Sequence, residues 1–188
     1  MYDVRPDEKG PRNIGVVLIM GGIILLLYSI SNFSLHSSGM TEEEAQTLLK
    51  NSNRQSNENT TLDQYRDFES LSQNEGSFLY KAVGLFIAGI SSIIGGILLR
   101  QLNSNGPYIA IGGVGLGGCA VFFSSIQLYH GSQQFLNDSL QLTYMSALYL
   151  WTVSLGLCFA LSALPAINFR SRLAMNPSVE VHSGDEES

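Results

Sequence analysis

The sequence predicts an all-α integral membrane protein, a bundle of four transmembrane helices with a long polar outer loop between helices 1 and 2. Three observations carry the prediction. Four apolar runs occupy residues 14–30, 78–99, 108–129 and 145–167. Each has about the ~17–25 residues that a helix needs to cross ~30 Å of hydrocarbon. Apart from Lys81, near the start of the second run, none holds Asp, Glu, Lys, Arg or His, so none shows the polar face of a long soluble helix. Third, the cations bracket the runs unevenly. Arg5, Lys9 and Arg12 precede the first, Arg100 follows the second, and Arg170 and Arg172 follow the fourth. With alternating spans all six lie on one side, and the positive-inside rule makes both termini cytoplasmic in a multi-pass protein, expected in the cell membrane.

The elements follow in order. Residues 1–13 form a cytoplasmic N-terminal tail and residues 14–31 the first span. The cationic front suits a signal peptide, but the run is long and Ser29-Ile30-Ser31 is a poor cleavage site, so an uncleaved anchor is expected. Residues 32–77 form the extracytoplasmic loop. Thr41 and Glu44 spell a capping box before Ala45, Leu48 and Leu49. After Thr61, the residues Leu62, Tyr65, Phe68 and Leu71 recur every three positions, an apolar stripe expected to pack within the same chain. This second short helix is expected to be interrupted at Gly76. Residues 51–60 between the two read as a flexible linker.

The second span is 78–100. The short cytoplasmic loop 101–106 makes spans two and three a tight antiparallel hairpin. The third span, 107–129, contains Gly113-Val114-Gly115-Leu116-Gly117-Gly118, which fits the G-x-G-x-x-G template for a dinucleotide. That chemistry needs a glycine turn between a strand and its helix, within alternating strands and helices. No such alternation surrounds it, and Gly106-Pro107 reads as the start of a helix. Residues 130–144 form a second extracytoplasmic loop, 145–168 the fourth span and 169–188 a cytoplasmic acidic tail.

The glycines have a physical use. In lipid, helices associate where small residues let backbones approach. Span two carries Gly84, Ala88, Ser92 and Gly96 at every fourth position. Span three carries Gly113 and Gly117, and span four carries Ser154, Cys158 and Ser162, with Gly156 and Ala160. Spans two, three and four are therefore expected to form the tight core. Tyr28, Tyr80, Tyr129 and Tyr144 mark the outer interface, and Tyr108 and Phe169 the inner one.

Composition narrows the function. The net charge of −6 without a basic cluster excludes the phosphate neutralisation that nucleic acid requires. No cofactor is expected, and no catalytic, cofactor-binding or metal-ligating set is spelled. His36 and His130, with Glu42, Glu43 and Glu44, are too few and too scattered for a metal site. Cys119 and Cys158 fall at similar depth and read as packing thiols. Ser124, Ser125 and Ser154 are expected to bond helix backbone. Three N-x-S/T triplets begin at Asn32, Asn59 and Asn137, all on the expected outer side. The leading expectation is a non-enzymatic structural, assembly or partner-binding subunit, its partners being the lipid bilayer and a protein engaged through the outer loop or the acidic tail. The rival is a small channel or transporter subunit with glycine-rich helices lining a conduit. A third is an enzyme with its chemistry at the outer surface around His36, the three glutamates and His130.

Overall fold

The computed structural model describes residues 6–176, and these are helical without strands. The elements are α1 (Lys9–Ser38), α2 (Glu42–Asn53), α3 (Leu62–Asn74), α4 (Ser77–Arg100), α5 (Gly106–Phe135), α6 (Asp138–Ile167) and α7 (Phe169–Met175). Four of them, α1, α4, α5 and α6, are long and apolar enough to cross a membrane. The helices outrun the apolar runs. α1 continues to Ser38, and only Leu136 and Asn137 separate α5 from α6, so most of the expected loop 130–144 is helix. The reason is local: Ser and Gln side chains there do not break a helix, and Asn137 starts a new one as its N-cap, accepting from the Leu140 amide at 3.1 Å. The 113–118 glycine motif lies inside α5, where no strand-to-helix turn exists.

α4 is the centre. Half of its most apolar stretch is buried, against 17% for α6. It packs most extensively on α1 and α5, which lie antiparallel to it on two different faces. On the first face, a Cβ placed on Gly15 would stand 2.5 Å from the Gly96 carbonyl oxygen, and one on Gly22 would stand 2.7 Å from that of Gly89. One heptad further, Ser29 Oγ donates to the Ala82 carbonyl at 2.8 Å, a buried bond between helices. Small residues thus meet in steps of seven: Gly15, Gly22 and Ser29 against Gly96, Gly89 and Ala82. On the second face, a Cβ on Gly84 would stand 2.7 Å from the Gly117 carbonyl oxygen, and one on Gly95 would stand 2.7 Å from the Ala110 methyl.

This corrects the expected partnership. The tight trio is α1, α4 and α5, while α6 leans on α5 with most of its surface open. A four-residue template finds the ridge on α4 but overlooks Gly15 and Gly22, which are seven apart. On α6, Ser162 is buried and bonds the Cys158 carbonyl at 2.7 Å, whereas a Cβ on Gly156 would meet nothing within 4 Å.

Between these helices the interior is filled by Leu25, Leu85, Ala88, Val114, Val121 and Leu155. The α4–α5 hairpin closes on Leu102, whose φ of 58° is left-handed. The Asn103 amide reaches the Leu98 carbonyl at 2.9 Å and the Leu102 amide that of Leu99 at 3.0 Å, a Schellman ending with leucine where glycine is usual. The Leu102 side chain packs against Leu18, Leu99, Ala110 and Met175, which offsets the backbone cost.

Gly96→Ala should lower stability by about 1–3 kcal/mol, because the new methyl meets the Gly15 backbone and the helices must part. Gly112→Ala, with open space around its Cβ, should be neutral or stabilising. Thermal unfolding in detergent, read by size-exclusion chromatography, separates the two. Equal effects would contradict the assigned contacts.

Candidate functional site

At one end of the bundle the segment 39–76 folds back as a cap. Two capping boxes start its helices, Thr41 with Glu44 and Thr61 with Gln64. The Thr41 hydroxyl and amide both bond the Glu44 carboxylate and hold it below the usual carboxylate range. The apolar stripe then docks on the bundle. Ala45, Leu49, Tyr65 and Phe68 pack against Phe78, Leu128, Leu136 and Leu140, and Phe68 is fully buried. The stripe therefore packs within its own chain, as its spacing suggests. Tyr144 joins this cluster, its ring centroid 5.0 Å from that of Phe68.

Two polar clamps lock the cap. The first holds the turn after α1. Gly39 has a φ of 68°, and a Cβ there would stand 2.9 Å from a Glu69 oxygen, so glycine is needed twice over. Buried Glu69 accepts from the Met40 amide and pairs with Arg66, while Arg66 donates to the Met40 carbonyl at 2.8 Å. Gln73 Nε2 adds a bond to the Leu35 carbonyl at 2.9 Å. α3 stops just short of Gly76, whose φ of 70° lets α4 begin, and the expected break lies there.

The second clamp centres on Asn137, which is 4% exposed. Its Oδ1 accepts from Ser52 Oγ at 2.9 Å and from the Leu140 amide at 3.1 Å. Its Nδ2 donates to Asn53 Oδ1 at 2.8 Å and to the Glu58 carbonyl at 3.1 Å. Its backbone amide donates to Thr60 Oγ1 at 2.8 Å. Asn53 in turn receives the Thr60 amide at 2.9 Å and donates to the Thr60 carbonyl at 3.0 Å. The stretch read as a flexible linker is thereby tied at both ends to the α5–α6 turn. In the sequence Asn137 reads only as the start of a glycosylation triplet. The missed signal is Asn-Asp before an apolar run, a helix start.

Beneath the cap sits Lys81, 7% exposed. Its Nζ lies 5.7 Å from the Trp151 ring centroid, and the Tyr28 ring meets Trp151 edge-on at 4.9 Å. Among the described residues Lys81 forms no ion pair, and its ammonium faces the Trp151 ring instead. Such a contact contributes about 0.5–2 kcal/mol.

The other end of the bundle gathers cations. The Arg100 side chain passes the Gly15 backbone, and the Asp7 amide bonds the Arg170 carbonyl at 3.1 Å, which joins the described N-terminus to α7. Arg5 and the acidic stretch beyond residue 176 lie outside the described residues.

The residues weighed for chemistry do not converge. His36 is half-buried near the end of α1, its Nδ1 without a partner among the described residues, while His130 is exposed beside Tyr129. Among the described residues no three His, Cys, Asp or Glu side chains are grouped to hold a metal ion. Cys158 points towards Gly21 on α1, and Cys119 is exposed on a groove between α5 and α6. Both are free thiols. Ser124 Oγ bonds the Val121 carbonyl at 3.0 Å, whereas the buried Ser125 and Ser92 hydroxyls have no partner among the described residues. The α5–α6 groove has a volume near 350 Å³ and is walled by Phe122, Phe159, Trp151, Gly115, Gly118 and Gly156. Compared with known proteins, the chain matches no family model, no curated protein and no solved structure.

Asn137→Ala removes a helix cap and strands buried partners, so stability should fall by about 2–3 kcal/mol. Thermal unfolding in detergent checks this, and a change under about 0.5 kcal/mol would show that the clamp holds nothing. Tyr65 supplies a pH test. Burial first, and Glu69 second, push its hydroxyl up to about 12. The folded state therefore favours neutral Tyr65, and its contribution is full below pH ~10, the unfolded value. It fades as pH rises from there towards about 12. Alkaline unfolding should move to higher pH in Tyr65→Phe, and an unchanged profile would remove Tyr65 from the titration.

Proposed function

We propose that this protein is a non-enzymatic multi-pass membrane subunit that binds a protein partner and helps assemble a larger complex. In this reading both termini are cytoplasmic, the cap faces outward, and the membrane is the cell membrane. The gathering of Lys9, Arg12, Arg100, Arg170 and Arg172 at the end opposite the cap supports that orientation.

One observation carries the partner role: two helix glycines stand open while most others are packed. Gly15, Gly22, Gly84, Gly89, Gly95, Gly96 and Gly117 meet backbone within this chain. Gly112 and Gly156 meet nothing within 4 Å, whereas Gly21, Gly115 and Gly118 each touch one side chain of this chain, Cys158, Phe159 and Leu155, at 3.8 Å or more. A glycine inside a helix costs up to about 1 kcal/mol relative to alanine unless close packing offsets it. Gly112 on α5 and Gly156 on α6, the least buried of the four long helices, are the open positions, and a neighbouring helix there would supply that packing. Above them, the clamped cap offers an ordered outer surface with Glu42, Glu43 and Glu44 exposed on α2. A conduit through one bundle is disfavoured by the side chains that fill the interior.

The experiment is purification in mild detergent from native membranes. A stoichiometric companion is expected, and Gly156→Leu should reduce its recovery at least several-fold without changing the thermal midpoint of the chain alone. A lone particle that carries solute across liposomes would overturn the proposal in favour of the conduit.

A further inference from the structure

Three asparagines carry the triplet that oligosaccharide transfer requires, and the fold treats them very differently. Asn32 lies within α1, is 8% exposed, and has its Nδ2 bonded to the Tyr28 carbonyl at 2.8 Å. Asn137 is the buried hub of the second clamp, and its Nδ2 donates to two acceptors, so both hydrogens are committed. A sugar on that nitrogen would displace one of these bonds where there is no room for a ring. Asn59 differs in each respect. It is exposed, in the irregular stretch between α2 and α3. Its neighbour Thr60 is buried, 4% exposed, and bonded to the Asn137 amide, which anchors the backbone while Asn59 faces outward.

We propose that Asn59 is an N-glycosylation site, and that of the three triplets it alone can carry a sugar in the folded protein. The co-substrate class is an oligosaccharide linked through its anomeric carbon to a polyprenyl phosphate or diphosphate. Asn59 Nδ2 forms a bond to the anomeric carbon as the carbon–oxygen bond to phosphate breaks. The lipid phosphate leaves, and the amide nitrogen gives up one proton to a base of the transferring enzyme. No oxidation or reduction is involved. The modification rests on the outward orientation of the cap proposed above.

The full chain translated into endoplasmic-reticulum microsomes tests it. The wild type should run as a band heavier by one glycan, collapsing on treatment with an N-glycosidase. Asn59→Gln should abolish the shift. Ser34→Ala and Ser139→Ala, which break the other triplets while keeping Asn32 and Asn137, should leave it intact. An unshifted wild type, a shift that survives Asn59→Gln, or one lost in either serine variant would overturn the assignment. Orientation is read separately. In a chain whose two cysteines are replaced by alanine, Asn57→Cys should react with an impermeant maleimide only after detergent opens the vesicles. Reaction without detergent would sink the orientation and the glycan site together. Protection with no glycan would sink the site alone.

Discussion

Two backbones can approach closely only where side chains do not intervene, and the architecture hangs on that steric fact at α4. One of its faces meets α1 through small residues in heptad steps, and another meets α5 through Gly84 and Gly95. In hydrocarbon, apolar surface gains nothing by turning inward, so close van der Waals contact and buried hydrogen bonds must hold helices together. The Ser29 bond to the Ala82 carbonyl is one such link, placed where the small-residue ladder continues. α6 is attached differently, through larger side chains such as Leu155 over the α5 glycines, and stays mostly uncovered.

The cap follows from this frame. The tight trio fixes the cap-side ends of α1, α4 and α5, and α3 joins α4 through the left-handed Gly76 with no slack. α3 must then lie over the ends of the helices, where Phe68 is buried against Leu128 and Tyr144. Polar groups complete the assembly: Glu69 holds the turn after α1, and Asn137 gathers the α2–α3 connection onto the α5–α6 turn. Each buried polar atom of Asn137 has a partner, the condition under which such a hub orders its surroundings instead of weakening them.

Much of this was legible from residue order. Long uncharged runs give the four helices, because their length and apolarity are local properties. Thr41 with Glu44, and the stripe from Leu62 to Leu71, give the cap helices for the same reason. What was not legible depended on register between distant segments. Gly15 and Gly22 look ordinary until Gly96 and Gly89 are set opposite them. Asn53, Thr60 and Asn137 read as loop asparagine and threonine until folding brings residues about eighty positions apart into hydrogen-bond contact. The continuation of α5 to Phe135 is not legible either, because hydropathy marks where apolarity ends, not where a helix does.

A clamped cap over a filled bundle, with Gly112 and Gly156 open on α5 and α6, is the basis of the proposed partner-binding role. That interpretation, and the placement of every exposed face, depends on α4 lying between α1 and α5. Disulfide trapping in native membranes tests this most directly. In a chain without Cys119 and Cys158, the pair Ser29→Cys and Ala82→Cys should cross-link readily within one chain under mild oxidation, while Ser29→Cys with Gly156→Cys should not. Ready trapping of the second pair and none of the first would contradict the arrangement.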